Sequence, residues 1–90
     1  MKKEPTVPYT SDLVDELNTL IRYDLATNLH GVKVHSTADA AVVAATARLH
    51  SKGMITQVDG GYLTSLGRNA AEHAQATLAL LTTGTALSAS

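Results

Sequence analysis

Apolar residues at Leu13, Leu17, Leu20, Ile21 and Leu25 recur at helical spacing, with Asp12, Asp15, Glu16 and Asn18 between them. Thr10, Ser11 and Asp12 are all good N-cap residues, and acids in a first turn suit the positive end of the helix dipole. The pattern predicts a first helix over about Ser11 to Ala26, with those polar residues turned to solvent. It breaks between Thr27 and Gly31. Val32-Lys33-Val34-His35 then alternates apolar and polar, the mark of a short half-buried strand. Ser36-Thr37-Ala38-Asp39 offers caps for a second helix, about Asp39 to Ser51. On that helix Val42, Ala45, Thr46 and Leu49, flanked by Val43, share a core-facing sector. Ala41, Ala44, Arg48 and Lys52 share the adjoining one, which faces solvent or a ligand.

Gly53 stands where a helix ends in a left-handed residue. Met54 to Val58 and Tyr62 to Thr64 read as the two strands of a hairpin. Either Asp59-Gly60 or Gly60-Gly61 supplies the positive-φ pair of a primed turn, and the second choice sets Val58 opposite Leu63. Thr64 or Ser65 caps a third helix, about Ser65 to Leu81, with Leu66, Ala70, Ala74, Thr77, Leu78 and Leu81 as its apolar stripe. Residues 1–9 form a loosely ordered lead, 10–81 a single domain and 82–90 a frayed tail. The order helix, strand, helix, hairpin, helix predicts an α+β, winged-helix-like fold: three helices and a small antiparallel sheet made of the short strand and the wing hairpin.

Ninety residues with no Phe and no Trp change that picture in one respect. A chain of this length buries only roughly 60–65% of its unfolded surface. Its core must come from Leu, Val, Ile, Ala and Tyr, so a second copy that buries more apolar area would relieve a thin core. The third helix is more apolar than one small core requires, and Ala76, Leu78, Leu80 and Leu81 are the candidate homodimer seam. There is no cysteine, which excludes disulfides, thiolate zinc sites and thiol nucleophiles. No signal peptide or membrane-length apolar run is present, so a cytoplasmic protein without membrane contact is the expectation.

Leu49-x-x-x-Gly53-Met54-Ile55, Asp59-Gly60-Gly61-Tyr62 and Leu63-Thr64-x-x-Gly67-Arg68 together resemble the recognition-helix end, wing and post-wing helix of bacterial winged-helix regulators. The longer run from Leu13-Val14-Asp15-Glu16-Leu17-Asn18 through Lys33-Val34-His35-Ser36 and Val42-Val43-Ala44-Ala45 to Leu63-Thr64 also resembles a small bacterial family. Its members are short, uncharacterised, winged-helix-like proteins that carry a DNA-binding label. The resemblance implies a helix-turn-helix protein that contacts double-stranded DNA through the second helix and regulates transcription. Two features depart from it. Only Ser36 to Ala41 is left to form a positioning helix, and the wing tip carries Asp59 where many wings place a cation for the phosphates.

The candidate DNA contacts are Arg48 and Lys52, one turn apart on the second helix, with Lys33 and His35 on the strand and Gln57 on the wing. Seven Lys and Arg against eight Asp and Glu make a net charge of −1, far from the basic balance of strong non-specific DNA binders. The alternative is a protein-interaction or dimerisation module that keeps the winged shape and binds no DNA. A basic strip around Arg48 favours DNA, and acids around it favour a protein partner. Arg68, badly placed for the helix dipole, is expected to find Asp59, Glu72 or a phosphate. His50 borders the core face and reads as a buried, hydrogen-bonded imidazole. No pair among His30, His35, His50 and His73 has the spacing of a helical zinc site. No nucleophile arrangement, phosphate loop or carboxylate pair is legible, so the expected protein is not an enzyme and needs no cofactor.

Overall fold

The computed structural model describes residues 7–27 and 30–84. The first helix, α1, spans Ser11–Leu20, and the Thr10 side chain accepts a hydrogen bond from the Leu13 amide at its start. It ends six residues before the Ala26 that periodicity predicts. The chain tightens instead: the amides of Arg22 and Tyr23 bond back three residues, to the carbonyls of Thr19 and Leu20. Asp24 then holds the Ala26 amide in a side-chain turn at 2.9 Å. This bend carries Tyr23 into the core.

Strand β1 is Val32–Lys33, and the Val34 amide adds a bond to the Asp59 carbonyl at 2.8 Å. Ser36 to Ala38 make a single turn, closed by the Ala38 amide on the His35 carbonyl. This turn stands where a helix-turn-helix would carry its positioning helix. Helix α2, Ala40–Ser51, is capped by Asp39 on the Ala41 amide and buries Ala45, Thr46 and Leu49 as its pattern predicts. His50, expected at the core, is exposed because the helix turns that position toward solvent.

Strands β2, Ile55–Gln57, and β3, Gly60–Leu63, complete an antiparallel sheet in the order β1-β3-β2. Ile55 faces Leu63 and Gln57 faces Gly60, with a register shift between them. The tip is therefore Val58-Asp59, neither of the two pairs that the sequence offers, and neither tip residue has positive φ. The two glycines lie inside β3, at φ 132° and 76°. They serve close approach: a Cβ on Gly60 would run into the Val32 carbonyl across the sheet, and one on Gly61 into the Thr56 hydroxyl.

Helix α3, Ser65–Thr83, starts on the Thr64 hydroxyl, which accepts from the Gly67 amide and donates to the Gly53 carbonyl at 2.5 Å. It runs two residues past the predicted end at Leu81. Its buried row is Gly67, Ala71 and Ala74, which shares only Ala74 with the predicted stripe because Gly67 must sit directly on the Met54 carbonyl. Leu66, Leu78 and Leu81 are consequently left exposed. Leu20, Tyr23, Leu49, Ile55 and Ala71 form the core, where all the elements meet. The rest of the expected lead and tail, residues 1–6 and 85–90, lies outside the described residues.

Candidate interaction surfaces

The α1–α2 junction is built around Glu16. Leu13, Glu16 and Leu20 stand three and four residues apart, so the carboxylate occupies the apolar row of α1 and is pressed onto α2. Only 6% of its side chain is exposed. One carboxylate oxygen accepts from Arg48 Nε at 2.7 Å and the other from Lys52 Nζ at 2.5 Å. Arg48 also donates to the Asp12 carbonyl and lies 3.8 Å from its carboxylate. Burial pushes the Glu16 carboxyl up, but the hydrogen bonds and charges of Lys52 and Arg48 outweigh it, so the group sits below the usual carboxylate range. The hydrogen bond from Arg48 to Glu16 in turn holds the guanidinium more firmly protonated.

The two side chains predicted to face a ligand are thus joined to an acid of the neighbouring helix. Glu16, read from the pattern as solvent-facing, is their shared partner. The signal that could have found it is its place in the 13-16-20 row. On α2 the side turned directly away from the core carries Ala40, Ala44 and Ser51, all exposed, and half-buried Ala47.

Lys33 pairs with Asp59 at 2.6 Å across the edge of the sheet, and that hydrogen bond holds the Asp59 carboxyl below its ordinary range. His35 is exposed just after β1, and Gln57 is exposed at the end of β2. Lys33 and His35 rim an open cleft of about 440 Å³ between the sheet and α2, floored by Val34, Val43 and Ala47. Arg68 bonds the Leu25 carbonyl and lies 3.5 Å from Glu72, one of its two expected acids. Among the described residues, Lys33, Arg48, Lys52 and Arg68 each hold a carboxylate.

A second face of the molecule is largely apolar. A groove of about 340 Å³ runs between α1 and α3, walled by Val14, Leu17 and Ile21 on one side and Ala74, Leu78 and Leu81 on the other. Tyr9 stands at its edge, 64% exposed. Past Ala74 no residue of α3 is buried, and Leu80 and Leu81 are 71% and 70% exposed. The predicted seam residues Ala76, Leu78, Leu80 and Leu81 are all exposed. Leu66, Val14 and Tyr9, which the sequence reading did not single out as partner contacts, extend the same apolar side.

Three helices and a three-stranded antiparallel sheet in this order define a small α+β protein of winged-helix-like topology. The chain belongs to the family of unknown function DUF5669, whose model matches residues 7–82. No curated protein and no solved structure matches it. Among the described residues, no helix is long and apolar enough to cross a membrane, and no group of three His, Asp or Glu side chains is placed to hold a metal ion.

Proposed function

We propose that the chain is a non-enzymatic, winged-helix-like interaction module that works as a homodimer through the α1–α3 face. The observation that carries this reading is the unpartnered second half of α3, with Leu78, Leu80 and Leu81 44–71% exposed beside an apolar groove. A thin core without Phe or Trp gains from a second copy on that face. The electrostatics agree: acids surround Arg48 and Lys52, the arrangement expected of a module with protein partners. Light scattering on the purified chain tests it. The expected mass is twice 9.4 kDa, returning to a single chain in Leu80→Glu or Leu81→Glu. A single-chain mass at several hundred micromolar rejects it.

A second reading, contact with double-stranded DNA and a role in transcription, is favoured by the wing topology and its resemblance to bacterial regulators. Lys33 and His35 rim the cleft beside the helix that corresponds to a recognition helix, and Gln57 is exposed on β2. Arg48 and Lys52 would have to leave Glu16 to reach phosphates. Fluorescence anisotropy with a mixed-sequence duplex at two salt concentrations decides it, because each phosphate contact contributes about −0.9 to the log–log salt slope. Binding that weakens in Arg48→Ala and Lys52→Ala supports DNA contact, and no binding at low salt removes it.

A further inference from the structure

We infer that two copies pair α3 against α3 antiparallel, with His73 on the two-fold axis and the Leu66 of each copy packed against the Leu80 of the other. This rests on the homodimer reading above and adds the register. Isologous contacts place a residue n positions before the axis against the residue n positions after it on the partner helix. Along α3, Leu66 and Leu80 stand seven residues before and after His73, and Ala70 and Ala76 stand three before and after. His73 lies one residue from the middle of Ser65–Thr83, so an antiparallel pair centred there overlaps nearly the whole helix.

Leu66, Ala70 and Leu80 share one seam, with Ala70 half-buried against the core and Ala76 standing beside it. Leu66, Ala70, His73, Thr77 and Leu80 follow one another at spacings of four, three, four and three, the repeat of a helix-pairing stripe. Leu66 and Leu80 are 53% and 71% exposed, and His73 and Thr77 are exposed between them. The seam carries no Asp, Glu, Lys or Arg. The charged residues of α3, Arg68 and Glu72, pair with one another on another side of the helix. A neutral seam suits an identical helix better than a charged partner. His73 Nδ1 faces the Asn69 carbonyl at 2.8 Å, which fixes the ring against its own helix. A single polar residue in the middle of an apolar seam is a device that sets register. The partner helix would also lie along the α1–α3 groove, since Ala70, His73 and Thr77 are among the residues that line it.

The face is small. Helices of 10 and 19 residues are about 15 Å and 28 Å long and about 10 Å wide, giving roughly 430 Å² of projected face per copy. Two copies come to roughly 860 Å² of projected face, below the roughly 1,200 Å² of a standard interface, so the pair is a small dimer that depends on chain concentration.

The chain has no cysteine, so His73→Cys introduces its only thiol. Two thiols on the axis are within disulfide reach, which requires Cα atoms closer than about 7 Å. Under mild oxidation His73→Cys is expected to form a covalent dimer at least tenfold faster than Glu72→Cys. A second set of variants tests direction. Leu66→Glu alone and Leu80→Lys alone should each weaken the dimer at least tenfold, and the double variant should recover most of that loss, because the new charges meet across the axis. If the native chain is a dimer but His73→Cys is no faster than Glu72→Cys, or the double variant stays dissociated as a parallel pair would require, the register is wrong and the dimer stands. A native chain that is a monomer by light scattering overturns both.

Discussion

Replacing Glu16 with Gln removes one charge from the α1–α2 junction while keeping the shape of the side chain. The carboxylate is 6% exposed, whereas Arg48 and Lys52 are 31% and 44% exposed, so only the acceptor is fully withdrawn from water. Charge-assisted hydrogen bonds to a buried group contribute roughly 1.5–3 kcal/mol each, and exposed ion pairs about 0–1. With wetted donors, and with Gln still able to accept one bond, the loss for Glu16→Gln comes to about 1–2 kcal/mol. In a chain of this size that lowers the Tm by about 5–15 °C. The difference depends on pH, and the sign follows from the direction of the shift. A carboxyl depressed below its ordinary 4.5 stabilises the fold above that pH, and the contribution is lost as pH falls through the folded value. Melting curves of both proteins at fixed chain concentration should therefore diverge at pH 7 and converge in acid. A Tm within about 2 °C of the unsubstituted chain at pH 7, or a gap that persists unchanged in acid, refutes the clamp.

Two further outcomes follow from the same structure. The Tyr23 hydroxyl is buried and has no hydrogen-bond partner among the described residues, and burial pushes its pKa up. Tyr23→Phe should therefore leave the Tm unchanged or raise it, and a fall of more than about 4 °C would reveal a partner. Lys33→Met should return the Asp59 carboxyl toward its ordinary 3.8, read by carbon NMR titration, with little change in Tm because the pair is exposed. An Asp59 titration that does not move would assign its depression to another cause.

Local chemistry made much of this fold legible. Thr10, Asp39 and Thr64 each cap the helix that their position announces, because a capping hydroxyl or carboxylate needs only the next two or three amides. Gly53 likewise ends α2 by its own φ of 77°. The misreadings share a different cause, contacts made far along the chain. Glu16 looks solvent-facing until Arg48 and Lys52, more than thirty residues on, fold against it. The glycines of the hairpin look like its tip until Val32 of β1 and Thr56 of β2 close on β3 and claim the space of their missing side chains. On α3, Ala74 is buried as its stripe predicts, while Leu66, Leu78 and Leu81 stay exposed because the Gly67 contact with Met54, rather than the size of the leucines, decides which side turns inward.

That last point bears on what the molecule is for. In a self-sufficient domain the large apolar side chains of a helix turn inward and the small ones are spared for the surface. Here α3 buries Ala71 and Ala74 at 0% and 8% exposure and presents Leu80 and Leu81 at 71% and 70%. The small residues inside let α3 lie close to the sheet and α1, while Glu16 with Arg48 and Lys52 ties α1 to α2. Those pairs also use the cations that a DNA contact would need, while a dimer through α3 needs none of them. The two proposals therefore separate in salt. Dimerisation through an uncharged seam should hold or strengthen as salt rises, whereas phosphate contact must weaken. A dimer dissociated by moderate salt would contradict the assignment of the leucines of α3 as its seam.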